Sequence, residues 1–411
     1  MALAKEIRYL FLAHGINVAI PLLLIPLLAH RLGIDEFGRF VILTGSSVYL
    51  AYAIELGFNN VAIERFSRGT NEEKRRVFAA VLIIKCALLL IVFPTGIALY
   101  ANLLETWGWE RGTAWFCMLP VVTCLIYPAW FFIVEKKQKI NFYVQMVTKL
   151  LLLIGVIVLV SDSSDAVVAV IIYSSATFIA SIVFCQHWFG FVDRKNLPDI
   201  RYLIEFASAG AKASGLAVRD AWSANGLAPL LGLLLHSQQL ANFALAEKMI
   251  RTLATPASSF GSILLANHVK FRKFYKDRLT TYLPLALMIA VAAYALIAVA
   301  ILMAMQNYMQ HFYEVALLFV IMLASVPFIY ANYTLLNIIY IQQQRYKSLT
   351  FSIIIQCAFA FTLAAWFAHA ERWLFAAGSV VCVEVVAFGC AVYISRRRRS
   401  LSDNTFVRTD G

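Results

Sequence analysis

A few lysines and arginines stand inside stretches that are otherwise apolar, and any chemistry this chain does has to be sought among them. Lys212 and Arg219 are seven apart in one such stretch, which places both on one face of a straight helix. Lys248 and Arg251 are three apart in the next, again on one face. Glu247 stands four residues before Arg251, within pairing reach. Lys85 and Lys149 lie in two earlier stretches. A charge at the centre of a bilayer costs about 2.5 to 3.5 kcal/mol on insertion scales, so a cluster of charges needs a ligand or a partner. Converging cations suit an anion: arginine grips phosphate bidentately and lysine supplies a mobile point charge. The expected anion-binding set is Lys85, Lys212, Arg219, Lys248 and Arg251. Ion pairing between segments is the competing account of the same residues. For Lys149, roughly six to eight residues from a boundary, snorkelling to headgroup level is the simpler expectation.

The carboxylates divide in the same way. Asp220 and Glu247 are expected partners for their basic neighbours. Glu384 stands near the middle of the last apolar stretch with no partner nearby in sequence, which marks it as a candidate coupling group. His14 and Asn17, three apart, form a small polar face that could line a cavity or make an interhelical hydrogen bond. All seven cysteines lie in apolar stretches and read as packing residues. No HExxH, GxSxG, CxxC or phosphate-loop pattern occurs, so no catalytic residue, metal or cofactor is expected.

The elements that must position these residues are membrane helices. The chain is 61% hydrophobic and 14% charged, with a mean hydropathy of +0.75. Apolar stretches centre near residues 9–29, 39–57, 78–101, 113–134, 143–160, 166–190, 204–235, 240–268, 280–304, 313–340, 347–369 and 373–395. Alternate gaps between them hold 25 of the 35 basic residues; the opposite gaps hold only Arg31, Arg39, Arg111 and Arg372. The positive-inside rule then predicts an even number of spans with both termini cytoplasmic. The net charge of +12 follows from that pattern and calls for no nucleic-acid partner. Arg396 to Arg399 directly follow a span and read as a lipid-headgroup anchor. Trp107, Trp109 and Trp115 read as an interfacial belt. Nine of the ten prolines fall in spans, which points to helices built to bend. The expected fold is all-α integral membrane, with 12 transmembrane helices in two six-helix lobes related by pseudo-two-fold symmetry. The expected division is 1–195, 196–398 and a disordered tail at 399–411.

Every outward gap is short, which leaves an exposed catalytic domain no room and disfavours an enzyme. The halves also share a weak pattern, Leu27 to Phe40 in the first and Pro229 to Phe243 in the second.

The string Pro26, Arg31, Leu32, Gly33, Phe37, Gly38, followed by Glu55-Leu56-Gly57-Phe58, resembles the first hairpin of the polysaccharide-biosynthesis export proteins. Phe243 to Lys248 resembles the start of their eighth helix, and Asp220 stands where they often carry an aspartate in helix seven. The second copy departs from them, with Leu235 and Leu240 in place of glycines. These are the Wzx-type O-antigen flippases of the multidrug/oligosaccharidyl-lipid/polysaccharide exporter superfamily. The resemblance implies a bacterial inner-membrane protein that moves an undecaprenyl-diphosphate-linked oligosaccharide to the outer leaflet. It further implies two lobes around a cavity open alternately to each side. The expected partners are that lipid-linked cargo, membrane lipids and the polysaccharide assembly machinery. Coupling would fall to a proton or sodium gradient. The rival readings are a multidrug cation antiporter, whose cavity should hold more carboxylates than bases, and a membrane glycan polymerase or ligase, which needs a long outward loop.

Overall fold

The computed structural model describes residues 2–191, 197–232, 237–266, 313–336, 346–369 and 373–390, and regular structure among them is helical throughout. Six of the helices described are long and apolar enough to cross a membrane: Gly15–Glu55, Asn71–Thr106, Thr113–Val134, Gln138–Leu159, Ser163–Phe189 and Glu314–Tyr333. Two shorter apolar helices, Ile353–Phe367 and Ala376–Cys390, accompany them. The stretch expected at 280–304, the basic gap at 270–278, His236 and the tail lie outside the described residues. The chain packs as two compact units, Met1–Thr252 and Leu253–Gly411. The six-plus-six division near residue 195 concerns repeats in sequence, whereas these units concern packing.

Helix α1 (Ala2–Glu55) is too long for one crossing: the 41 residues of its part Gly15–Glu55 alone would reach about 60 Å, twice the hydrocarbon thickness. It bends at Gly33, whose φ of 73° and ψ of 167° only a residue without a β-carbon adopts readily. Side-chain pairings show that the chain reverses there. In the first arm Asn17 meets Gln145 and Arg31 meets Val156, Ile157 and Val160, so residue numbers rise together along α7 (Gln138–Leu159). In the second arm Arg39 lies over Trp107, Ser46 and Ser47 bond the Tyr100 hydroxyl, and Glu55 pairs with Lys85. Numbers there run opposite to those of α3 (Asn71–Thr106).

Between α1 and α3 lies the short α2 (Phe58–Arg68). Thr70 caps α3 with a reciprocal bond to Glu73. The fourth apolar stretch is broken into α4 (Thr113–Cys117), α5 (Leu119–Ile126) and α6 (Ala129–Val134). Pro120 lies in the first turn of α5 and Pro128 precedes α6, positions where a missing N–H costs nothing. Helix α7 then pairs with α8 (Ala166–Phe189), where Gly155 lets the Ile172 side chain approach.

At one end of this unit the rings of Phe66, Phe78, Trp130, Phe131, Trp188 and Phe191 pack together. Lys74, Arg75 and Lys137 lie over that cluster, at 5.2, 5.5 and 5.6 Å from ring centres. Two of the basic gaps therefore meet at the same end, while Arg31, Arg39 and Trp107 gather at the other. At the basic end α9 (Ile200–Lys212) packs on α2 and α3. Phe206 stacks on Phe58, Arg65 pairs with Glu205 at 2.7 Å, and Arg76 pairs with Asp199.

In the second unit, helices Tyr313–Leu323 and Val326–Leu336 meet at Ser325, whose hydroxyl bonds the Met322 carbonyl. Phe328 and Phe388 join the second of these to the last apolar helix.

Candidate membrane-embedded polar site

The seventh apolar stretch is discontinuous. Helix α9 ends at Lys212, α10 (Ser214–Asn225) follows a break at Ala213, and the four-residue α11 (Ala228–Leu231) follows a second break at Gly226. Lys212 and Arg219, expected on one face of a single helix, are divided by the first break. Lys212 is exposed and Arg219 is buried. Asp220 lies in α10, and its side chain, like that of His14, lies outside the described residues.

A polypeptide break at membrane depth exposes backbone N–H groups that lipid cannot satisfy. Here Glu247, on α12 (Ser237–Ala266), supplies the acceptors. The amide of Leu227 donates to its Oε1 at 2.9 Å and that of Ala228 to its Oε2 at 2.8 Å. Arg251 donates to the same carboxylate at 3.3 Å and lies over the Trp222 ring at 5.5 Å. Glu247 and Arg251 are 1% and 3% exposed, so both charges have left water and depend on these contacts. The Tyr49 hydroxyl donates to the Gly226 carbonyl, which ties the same break to α1. Glu247 therefore does two things: it pairs with Arg251, as spacing predicts, and it holds a broken helix together, which spacing does not reveal.

Lys85 is fully buried. Its ammonium lies 3.3 Å from Glu55 and donates to the Cys124 carbonyl at 3.3 Å. Glu55 is half-buried in contact with this lysine. Lys248 is half-buried on α12 and lies close enough to Lys149 for their charges to repel. Asn17 donates to Gln145. In the second unit the Asn332 amide donates to the Glu384 carboxylate at 2.8 Å and to its backbone carbonyl at 2.9 Å.

The structure thus gathers Glu247, Lys248, Arg251 and Lys149 in one region of the first unit, and places Lys85 in a separate ion pair. Gln145, Tyr49 and Trp222 join the site without a sequence expectation behind them. The amides on α7 recur every three or four residues, and that period was the available signal. At the basic end, burial opposes the Arg65 charge, but hydrogen bonds to Tyr202 and Glu205 outweigh it and raise the pKa. Among the described residues no cluster of His, Cys, Asp and Glu could hold a metal.

The model of a family described as "Polysaccharide biosynthesis protein" matches residues 3–265. A relative named "Putative O-antigen transporter", from Escherichia coli (strain K12), is 26% identical over 303 residues, covering 68% of this chain and 70% of the relative. Among solved structures, an inward-facing multidrug resistance MATE family transporter of the MOP superfamily aligns over 97% of this chain and 96% of its own, with a TM-score of 0.56 at 15% identity. A mutant Vibrio cholerae MATE transporter aligns over 99% of this chain and 100% of its own, with a TM-score of 0.58 at 13% identity. At such identities the likeness is one of fold.

Proposed function

The chain belongs to the polysaccharide biosynthesis protein family, and from that membership we propose that it is a flippase, a transporter rather than an enzyme. Its cargo is an undecaprenyl-diphosphate-linked oligosaccharide, an O-antigen or related repeat unit, carried from the inner to the outer leaflet of the bacterial inner membrane. Twelve spans in two six-helix lobes, with both termini cytoplasmic, alternate access to a cationic central cavity. The name of the Escherichia coli relative supports that cargo class.

The observation that carries the reading is a set of cations at buried or half-buried positions of the first unit: Arg219 on α10, Lys248 and Arg251 on α12, and Lys149 on α7 within electrostatic reach of Lys248. A diphosphate carries about two negative charges and accepts several charge-assisted hydrogen bonds. It would offset the cost of holding those cations away from water. The sugars travel with the headgroup through the wet cavity while the polyprenyl chain stays in lipid. Lys85 and Lys212 complete the proposed set, and a proton or sodium gradient drives the cycle through a carboxylate such as Glu384. Membrane lipids and the polysaccharide assembly machinery are the expected partners. The fold shared with multidrug transporters says nothing about cargo, and an excess of buried bases does not suit a cationic drug.

Arg219→Ala and Lys248→Ala should each stop O-antigen display while protein remains at wild-type level in the membrane. A deletion strain should accumulate the lipid-linked glycan. Normal display from both variants would overturn the assignment.

A further inference from the structure

Segment five carries a pattern that the cation set leaves unused. Gln138, Asn141, Gln145 and Lys149 recur at intervals of three and four residues along α7. At 100° per residue they fall within an arc of about 80° and extend about 16 Å along the axis. Of the exposed large apolar residues on the same helix, Leu150, Leu151, Ile154, Ile157 and Val158 centre on the opposite face, the one suited to acyl chains, while Leu159 at the last turn lies on the polar side. The polar stripe faces the interior of the first unit.

Asn141 is buried, and the rest of the stripe is partly open. Gln138, Gln145, Lys149 and the neighbouring Asn17 are all half-buried. An amide side chain offers two donors and an acceptor with two lone pairs. The contact between Asn17 and Gln145 uses one donor of the first and the carbonyl of the second, which leaves both Gln145 N–H groups for a ligand. Asn141 accepts from Tyr127 at 2.6 Å and donates to Gln138 at 3.0 Å, so the stripe is already aligned as a ladder. Lys85 and Arg251 each have a carboxylate, but Lys149 has no salt bridge among the described residues. Its charge instead lies within electrostatic reach of Lys248, which neighbours Glu247 as well. Like charges held in one region disfavour each other, and an added anion relieves that repulsion.

We propose that this stripe is the cargo-binding track: Lys149 and Lys248 hold a lipid-linked diphosphate between them, and Gln145 with Asn17, then Asn141 and Gln138, bond the hydroxyls of the sugars that follow. The assignment rests on the flippase reading and gives its cargo a place and a direction. The diphosphate sits deepest, and the glycan extends along α7 toward the basic end.

The test uses the full-length protein in phosphatidylcholine nanodiscs with undecaprenyl diphosphate as probe. Lys149→Gln should weaken binding about tenfold or more, and Lys149→Arg should restore it. Gln145→Leu should leave binding of this sugar-free probe unchanged yet cut O-antigen display in cells several-fold at normal protein level. Leu150→Ala, on the lipid-facing side, should change neither. If Lys149→Gln fails to fold, Gln145→Leu and Lys149→Arg still decide the matter. Wild-type binding that survives in Lys149→Gln, or wild-type display from Gln145→Leu, overturns the track and leaves the flippase reading standing. A wild-type protein that does not bind the probe overturns both. Displacement of the probe by an equal concentration of phosphatidylglycerol would make this a general anionic-lipid site and overturn the track as well.

Discussion

Glu247 and Gly226 compete for the same space: a β-carbon on residue 226 would overlap the carboxylate that bonds the next two amides. Gly226 also has a φ of 67°. Alanine there would be strained by about 1 kcal/mol and would break hydrogen bonds to a charged group, each contributing about 1.5 to 3 kcal/mol. Gly226→Ala should therefore lower the melting temperature of the purified protein by about 5 °C, taking roughly 1 °C per kcal/mol for a chain of this size. Glu247→Gln should do similar damage, because its amide nitrogen meets an N–H where an oxygen accepted one. A melting temperature unchanged in both variants would mean that the break needs no carboxylate.

The Lys85–Glu55 pair is asymmetric, and so is the expected effect of neutralising each partner. Glu55 is half-buried, whereas Lys85 is 1% exposed. Glu55→Gln strands a buried ammonium, a loss of about 3 to 5 kcal/mol. Lys85→Met strands a carboxylate that water can reach and replaces the ammonium with an apolar group of similar length, so its cost should be smaller. The double variant should be more stable than Glu55→Gln alone. Thermal unfolding of the three proteins checks the order, and equal losses from both single variants would refute it.

Where α9 crosses α2, contact should matter more than charge. The Arg65–Glu205 pair is largely exposed, with Glu205 at 66%, and such pairs contribute about 0.2 to 1 kcal/mol. Glu205→Ala should therefore leave display and membrane level near wild type. Gly210 lies directly against the Phe58 ring, which a β-carbon would overlap. Gly210→Val should force the two helices apart and sharply reduce display. Immunoblotting of membranes together with a surface-glycan stain would separate misassembly from loss of transport.

The hydrophobic stretches and their alternating charges were legible because each depends only on neighbouring residues. The helical fold, the reversal near Gly33 and the gathering of basic gaps at one end follow from that local information. Partners distant in the chain were not legible. Lys85 meets a glutamate thirty residues earlier, and the amides of Leu227 and Ala228 reach a carboxylate twenty and nineteen residues later. The shared face expected of Lys212 and Arg219 assumed an unbroken helix, and a helix break at Ala213 has no signal in an alanine. Gln145 illustrates a different loss. One amide in a span carries little information, and only its phase with Gln138, Asn141 and Lys149 gives it meaning.

Arg31 bonds three carbonyls at the last turn of α7, two residues before the chain turns at Gly33. Free carbonyls at a helix end carry partial negative charge, so the clasp both neutralises that end and fastens it. The first and fifth spans are consequently pinned at their tops like two rods sharing a bolt. Rocking of either must carry the other, and with them the asparagine and glutamine that touch halfway down. Flexing then has to be taken up elsewhere, and the break at Ala213 in the seventh apolar stretch offers a place for it.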